Sequence, residues 1–311
     1  MKYLSVKEAA ENWGISGAMV RRYCVQNRIP RAIQNDNGWR IPENAKKPKG
    51  KNEPRVEKPE LSPLAQKILR QKQKKGYHGL YDYIQINLTY SSCRMASCRL
   101  TRTQVEHIFR KGKVKDMFES VKVSDVIEAL NHCRCLDYVL DQIQKPLAVA
   151  EIQKLHAMLT NGTVDARTQR VSPGEFRKEA SKRNAAFIGA PGEISSALKG
   201  LCKEYEDKPN KGLEDILDFH VRFERIFPFD DYNGRIGRLL LFKECLRQYV
   251  PPFILDDKKR SRYLIGLREW ANYPEILTEV IAEAQNRFTR QIELQELLEQ
   301  GKYFAPGGLN R

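Results

Sequence analysis

The sequence lacks long apolar runs, has few cysteines and does not begin like a secreted protein. No stretch approaches the roughly 18 apolar residues that a membrane span needs. Residues 1–4 do not lead into the apolar region of about 7–15 residues that a secretion signal carries. The 7 cysteines and 19 glycines exclude a disulfide scaffold and a collagen-like repeat. An odd cysteine count without a signal predicts reduced thiols in a cytoplasmic protein with no membrane partner.

What the sequence has in excess is positive charge. It contains 54 Lys and Arg against 39 Asp and Glu over 311 residues, a net charge of +15. With 41% hydrophobic residues the chain can build a sizeable core, and at about 100–200 residues per domain its length predicts two domains. The excess charge is compatible with nucleic acid, nucleotide phosphates, an acidic partner or solubility alone.

Residues 1–48 have the pattern of a small helical unit with a β-wing. Ser5 begins a capping-box pattern that predicts a helix start, and Ser16 predicts the cap of a second helix over about residues 17–26. Residues 35–38 read Asn-Asp-Asn-Gly, which suits a hairpin turn. The order helix, turn, helix, wing predicts a winged helix-turn-helix domain.

This stretch resembles the excisionase and MerR-like helix-turn-helix family, through the segments YLSVKEAAENWGIS, VRRYC, RIP and GWRIPENA. The resemblance implies DNA binding, with the second helix lying in a major groove. Arg21 and Arg22 fall on that helix and Arg40 on the wing, and residues 1–60 carry 13 Lys or Arg against 7 Asp or Glu. A helical module that binds protein, or a basic face that is only solvated, stays an alternative.

Residues 49–61 are predicted to be a charged linker. The surrounding segment, KKPKGKNEPRVEKPE, is rich in Lys, Pro and Glu and has no apolar period. A segment of this composition cannot bury a core, so we expect a flexible tether.

Residues 62–311 show helical periodicity and little strand alternation, which predicts a mainly α domain. Helix starts are predicted at Thr101 and Ser124, and helices over 214–227, 235–248 and 272–300.

The most informative segment runs from residue 223 to 238 and joins two predicted helices. Pro228 ends the first helix, and a tight polar loop leads into the second. A helix N-terminus after such a loop binds anions, because its N–H groups and its dipole point at the ligand. Arg235 and Arg238 lie in the first turn on one face, and Asp231 at the loop tip suits Mg²⁺. The pattern predicts a nucleotide-phosphate site; a helix–loop–helix with surface arginines is the alternative.

The same segment resembles the signature of Fic-domain proteins, His-Pro-Phe-x-(Asp/Glu)-Gly-Asn-Gly-Arg-x-x-Arg. The similarity extends to LYDYIQINLTYSS, DVIEALNHCRCLDYVL, VSPGEFRK and VPPFILDDKKRSRYLIGLREW, and it covers most of residues 75–290. It implies an all-helical Fic domain with a small β-hairpin flap. Most members of that family transfer AMP from ATP to a hydroxyl of a target protein, so ATP and Mg²⁺ are the implied cofactors.

The resemblance also implies roles for residues of this chain. The matching positions are Asp231 for Mg²⁺, Asn233 and Gly234 for the α-phosphate region of ATP, Arg235 and Arg238 for the outer phosphates, and Gly237 beside them.

Two positions of the loop depart from the family pattern. The family's catalytic histidine is replaced by Phe227, which cannot accept a proton, so a step normally worth about 10²–10⁴-fold in rate is lost. His220 lies about 10 Å back along the same helix, and we interpret it as a packed structural histidine. Tyr232 replaces a small glycine, so either the loop is reshaped or the tyrosine covers the pocket.

An upstream segment departs as well. TYSSCRMASCRLT aligns with the autoinhibitory segment of one Fic class, (Ser/Thr)-x-x-x-Glu-Gly, whose glutamate pairs with the second motif arginine. Here Ala96 replaces the glutamate and Ser97 the glycine, which predicts that Arg238 lacks its restraining partner. Inhibitory and catalytic residues are both absent, and we favour natural divergence over engineering.

Two further segments suggest binding sites. Residues 174–190 match the family's flap, which pairs with an extended segment of a target protein; Lys178, Lys182 and Arg183 make it basic, and a solvated loop is the alternative. Four cysteines could hold Zn²⁺, but their spacings are not those of zinc motifs, so buried free thiols are favoured. They are Cys93, Cys98, Cys133 and Cys135.

Three functions remain open from the sequence. The first is an impaired transferase or pseudoenzyme regulator tethered to DNA. The second is an active AMP or nucleotidyl transferase that modifies protein hydroxyls with an atypical base. The third is a protein-interaction module that uses no nucleotide. Whether the chain forms a homodimer also stays open.

Overall fold

The structure, a computed structural model, describes residues 3–25, 28–29, 32–35, 38–48, 61–74, 79–113, 121–180 and 190–300. The chain divides into two compact units, Met1–Pro59 and Glu60–Arg311. The boundary falls inside the segment predicted as a linker, whose residues 49–60 lie outside the described part of the chain.

The N-terminal unit packs two helices against a small sheet. Its three strands are antiparallel in the order β1, β3, β2. A core of seven buried residues, including Ala9, Val20 and Ile41, lies between the helices and the sheet. The elements are β1 (Tyr3–Ser5), α1 (Val6–Trp13), α2 (Gly17–Val25), β2 (Ile33–Asn35) and β3 (Gly38–Pro42).

The predicted capping residues start both helices of this unit. The Glu8 amide donates to the Ser5 hydroxyl, and the Glu8 carboxylate accepts from the Ser5 amide at 2.7 Å. The Met19 amide donates to the Ser16 hydroxyl at 3.3 Å. The predicted hairpin strands are present, whereas β1 was not predicted because its three residues are too short to show an alternation.

The second unit is built of helices. Among the residues that the structure describes, none of its helices combines the length and the apolar character needed to cross a membrane. The helices are α3 (Pro63–Lys74), α4 (Leu80–Met95), α5 (Arg102–Lys111), α6 (Val123–Asp141), α7 (Val149–Thr160), α8 (Val164–Arg167), α9 (Ile194–Asp207), α10 (Leu213–Ile226), α11 (Asn233–Arg247), α12 (Arg260–Glu269) and α13 (Pro274–Glu299).

The central element of this unit is α11, which is buried along almost its whole length. It packs against α4, α6, α7 and α10, and its apolar side chains join the main core. The fully buried Lys243 ammonium binds both carboxylate oxygens of Glu151 on α7, at 2.8 and 2.7 Å. Because four other helices surround α11, its first two turns, with Arg235 and Arg238, lie within reach of side chains from α4 and α6.

Most predicted helix positions agree with the structure, and one predicted cap is wrong. Thr101 and Gln104 form the capping box that starts α5. The predicted cap at Ser124 is wrong, because α6 already begins at Val123 and Lys122 is the residue before it. The Lys122 carbonyl accepts the first helical hydrogen bonds, from Asp125 and Val126, so Ser124 lies within the first turn.

Candidate functional site

The candidate site lies where α10 ends and α11 begins. Phe227 follows α10 with φ 47°, and Tyr232 precedes α11 with φ 69°. Both residues therefore lie in the left-handed region, which costs a side-chain-bearing residue about 1–2 kcal/mol. The Asn233 amide fixes the loop between them, because its Oδ1 accepts from the Phe229 amide at 3.0 Å and its Nδ2 donates to the Phe229 carbonyl at 2.8 Å.

A buried arginine from outside the motif holds the start of the loop. Arg177, at 2% exposure, donates from Nε to the Phe227 carbonyl at 2.8 Å, and its backbone amide donates to the Pro228 carbonyl at 3.0 Å. It thereby satisfies carbonyl groups at the end of α10 that have no helical partner. The sequence analysis assigned it no role, because a single sequence holds no signal that pairs Arg177 with carbonyls 50 residues away.

The first motif arginine is bound on both of its edges. Arg235 Nη1 lies 2.6 Å from Glu128 Oε2 of α6, and Nη2 lies 3.1 Å from Asp231 Oδ1. Burial acts to lower the pKa of Arg235, but Glu128 and then Asp231 outweigh it and raise that pKa above its ordinary value. The guanidinium is 5% exposed, so this is a buried ion pair and not a surface arginine.

Tyr232 covers the face of the same guanidinium. The centre of its ring lies 3.7 Å from Arg235 Cζ, and the residue is 3% exposed. Burial raises the pKa of Tyr232 to about 12, so its hydroxyl stays neutral. Of the two expectations for this position, the covering tyrosine is the one observed, with the backbone in a conformation that favours glycine.

The second motif arginine is held by the segment that aligns with the inhibitory one. Arg238 donates from Nε to the Ser92 hydroxyl at 3.0 Å and from Nη2 to the Ser92 carbonyl at 2.9 Å. Arg238 thus has a partner in this segment although Ala96 stands where the restraining glutamate was expected. Ala96 itself is exposed after the end of α4, one turn beyond Ser92. The contact is made by neutral oxygens and not by a carboxylate.

Two glycines of α11 leave space for neighbouring side chains to pack against the helix backbone. A Cβ on Gly234 would lie 2.9 Å from Arg238 Nη1, and one on Gly237 would lie 2.7 Å from His220 Cε1. Contacts that short force a neighbour to move, so these positions need glycine for the observed packing. The predicted phosphate contacts of Gly234, Gly237 and Asn233 stay predictions.

Asp231 can serve a Mg²⁺ ion only together with a ligand. Its Oδ1 accepts from the Tyr232 amide at 2.7 Å and from Arg235. Among the described residues there is no group of three or more His, Cys, Asp or Glu side chains that could hold a metal. Mg²⁺ in nucleotide sites is held by one or two carboxylates plus phosphates and water, and Asp231 fits that role. The four-cysteine zinc site finds no support in the described residues, where all four thiols are free and buried.

A buried polar layer lies behind the loop. His220 was predicted to be a packed structural histidine, and it is 1% exposed with Nε2 2.5 Å from the Tyr263 hydroxyl. Burial, then Arg238, lowers its pKa to about 3. Glu224, one turn before Phe227, has a buried Oε1 without a hydrogen-bond partner, and burial raises its pKa to about 7 against the opposing effect of Arg238.

Two more neutral histidines flank the motif arginines. The pKa of His132 on α6 is lowered to about 3 by burial and then by Arg238 and Arg235. The pKa of His156 on α7 is also lowered to about 3, by burial and then by Arg235. The His156 ring stacks on Phe229 with centroids 3.9 Å apart, so α7 packs against the loop.

Other predicted site residues are described only in part. Lys178 of the flap predicted at 174–190 is exposed and pairs with Glu175 at 3.1 Å, whereas residues 181–189, with Lys182 and Arg183, lie outside the described residues. In the N-terminal unit, Arg21 is exposed on α2 and Arg40 is half-buried on β3. These two arginines line an open groove of about 1030 Å³ along with Lys7. The Arg22 side chain is outside the described part.

Comparisons with known proteins agree with this geometry. Residues 146–244 match the sequence model of the Fic/DOC family. A protein adenylyltransferase Fic of Drosophila willistoni is 31% identical over 127 residues, which cover 38% of this chain and 23% of that protein. The Drosophila melanogaster protein of the same name is 27% identical over 125 residues with the same coverage. The chain thus spans about a quarter of the length of these curated relatives.

Solved structures share the fold of the larger unit. A Fic-domain signalling protein from Bacteroides thetaiotaomicron superposes with a TM-score of 0.59 at 20% identity, covering 79% of this chain and 94% of that one. Fic-1 from C. elegans gives 0.58 at 17% identity, covering 75% and 73%. These likenesses agree with the mainly helical fold expected from the sequence. Residues 146–244 of the chain therefore match the Fic/DOC family, and curated relatives that align with part of the chain are named protein adenylyltransferases.

Proposed function

We propose that this chain is a Fic-family regulator with impaired AMP transfer that acts while tethered to DNA. The observation that carries the proposal is Phe227, at the start of the loop where the family has its catalytic histidine. Its phenyl ring has no lone pair with which to take the proton of an attacking hydroxyl. The cytoplasm is the compartment we propose for it, with DNA and a target protein at residues 174–190 as partners.

The phosphate-binding residues support a retained but weakened nucleotide site. Arg235 and Arg238 lie in the first two turns of α11, near the N-terminus where helix N–H groups and dipole favour an anion. Asp231 would hold Mg²⁺, which when bound neutralises charge on the phosphates. Both arginines are engaged by Glu128 and Ser92, so ATP must compete with groups of the chain itself.

We expect no detectable transfer of label from α-labelled ATP by the full chain with Mg²⁺ and cell extract, because no base activates the target hydroxyl. Gel autoradiography of the extract and of the chain itself measures this. Label transferred above the level of a heat-denatured sample contradicts the proposal.

A residual transferase with another base is the second candidate, and Glu224 favours it. Its carboxyl has a pKa near 7 and an oxygen without a hydrogen bond, one turn before Phe227. A group with a pKa near the working pH is suited to general-base catalysis. Should label be transferred, Glu224→Gln decides: loss of transfer assigns the base to Glu224, and unchanged transfer excludes it.

For the N-terminal unit we expect DNA binding that weakens steeply as salt rises. Fragments of the chain's own promoter are titrated with full-length protein by fluorescence anisotropy at several salt concentrations. Arg21→Gln should reduce the slope of log affinity against log salt by about 1, because one phosphate contact is lost. Lys178→Gln, which removes an exposed charge from the other unit, is the matched control and should leave the slope unchanged. Equal binding by wild type and Arg21→Gln at every salt concentration refutes the contact.

A further inference from the structure

The guanidinium of Arg235 is enclosed on three sides by groups of the same chain. Glu128 Oε2 lies 2.6 Å from Nη1, Asp231 Oδ1 lies 3.1 Å from Nη2, and the Tyr232 ring covers one face at 3.7 Å. An arriving phosphate uses the same edge donors as a carboxylate does. An anion that approaches Nη1 from the side of Glu128, or Nη2 from the side of Asp231, therefore competes with these carboxylates.

Arg235 forms ion pairs with carboxylates, whereas Arg238 donates hydrogen bonds to neutral oxygens of Ser92. The Ser92 hydroxyl and carbonyl that hold Arg238 are neutral, and charge-assisted hydrogen bonds are about twice as strong as neutral ones. A phosphate therefore replaces Ser92 with a gain in interaction, whereas at Arg235 it replaces one anion by another. The position that aligns with the inhibitory glutamate, Ala96, contributes no charge to either arginine.

The contacts of Glu128 are weak enough for its carboxylate to be displaced from Arg235. Only Oε2 contacts Arg235, and the other partner of the carboxylate is the buried Cys93 thiol, a weak hydrogen-bond donor. Glu151, equally buried at 8% exposure, binds Lys243 through both oxygens. A carboxylate held by one arginine nitrogen and a weak thiol donor is held less firmly than one whose two oxygens both bind an ammonium. When Glu128 moves away, Asp231 still pairs with Arg235, so the guanidinium keeps a partner.

We propose that Glu128 is an autoinhibitory residue of this domain, whose carboxylate occupies the phosphate position on Arg235 and lowers affinity for ATP. This rests on the proposed function only in taking Arg235 as a phosphate-binding residue. The proposed inhibitory contact joins Glu128 of α6 to Arg235, the first motif arginine. The domain thus retains an internal competitor for phosphate although Ala96 has removed the inhibitory glutamate.

The test is calorimetric titration of full-length protein with ATP and Mg²⁺. Glu128→Gln should bind ATP at least about tenfold more tightly than wild type, because the competing charge is gone while the side-chain volume stays. The measurement is repeated in a Tyr232→Gly background, where the ring no longer covers Arg235. Glu151→Gln removes an equally buried carboxylate away from the loop and should leave the affinity unchanged.

Glu128→Asp serves if Glu128→Gln does not fold, since it keeps the charge but is one carbon too short for the 2.6 Å contact. It should raise the affinity in the same direction. Unchanged ATP affinity in both backgrounds overturns the proposal. Because this experiment measures only ATP binding, a negative result would not bear on the proposal that position 227 lacks a catalytic base. Label transfer by the wild-type chain would contradict the proposed function without bearing on Glu128.

Discussion

We expect Phe227→His combined with Tyr232→Gly to restore transfer of AMP from ATP, by about 10²–10⁴-fold over the unaltered chain. The histidine supplies the missing proton acceptor. The glycine removes the ring that lies 3.7 Å from Arg235 and fits the left-handed backbone, since φ at this position is 69°. The assay is label transfer from α-labelled ATP at saturating concentration, to the chain itself or to proteins of the extract.

Three control variants make this result specific. Phe227→Gln with Tyr232→Gly places a polar group at position 227 that is no base at neutral pH, and it should stay inactive. Asp231→Ala in the active variant should abolish transfer by removing the Mg²⁺ ligand. Glu128→Gln in the active variant should lower KM for ATP and leave kcat unchanged. A histidine variant that binds ATP but transfers nothing shows that position 227 is not the missing catalytic element.

The larger unit, Glu60–Arg311, is expected to lose about 4 kcal/mol of unfolding free energy between pH 7.5 and pH 5 from the groups described below. His132, His156 and His220 have folded-state pKa values of about 3 against 6.5 in the unfolded chain. Below pH 6.5 the unfolded chain therefore binds protons that the folded chain does not. The stability that these groups contribute is complete above pH 6.5 and is lost as the pH falls, by about 2 kcal/mol for each histidine at pH 5.

Glu224 acts in the opposite direction. Its folded-state pKa of about 7 exceeds the ordinary 4.5, so the stability it contributes is complete below pH 4.5 and is lost as pH rises through 7. Over the same interval the stability contributed by Glu224 rises by about 2 kcal/mol, so the three histidines and Glu224 together give a net loss of about 4 kcal/mol. A net loss of this size is a large part of the 5–15 kcal/mol that holds a typical domain folded.

Urea unfolding followed by circular dichroism at pH 7.5, 6.5, 5.5 and 5 measures this effect. His156→Asn is the informative variant, because its Oδ1 can replace Nδ1 as acceptor of the Gly174 amide, which lies 2.9 Å from His156 Nδ1. It should unfold more easily at neutral pH but lose about 2 kcal/mol less on acidification. Wild-type stability that does not change over this range shows that the three histidines are not buried in neutral form.

Local chemistry allowed much of the fold to be predicted from the sequence. Ser5, Ser16 and Thr101 cap helices as expected, because a cap depends on residues three positions apart. The end of α10 could be predicted from Pro228, and the positions of α10 and α11 could be predicted from their apolar periodicity. The predicted cap at Ser124 was wrong because the choice among neighbouring starting residues depends on packing around α6, which no local pattern encodes.

The candidate site likewise has features that could be predicted from the sequence and contacts that only the tertiary structure shows. The sequence alone placed Asp231, Arg235 and Arg238 on the loop and the first two turns of one helix, and it predicted that Phe227 stands where the family has its catalytic histidine. Only the tertiary structure brought Glu128 and Ser92 to those arginines and Arg177 to the loop carbonyls, because these contacts join residues 50 to 146 positions apart. A sequence determines which groups are available to bind an anion. Whether those groups are already occupied depends on which helices pack around α11, and in this protein they are occupied.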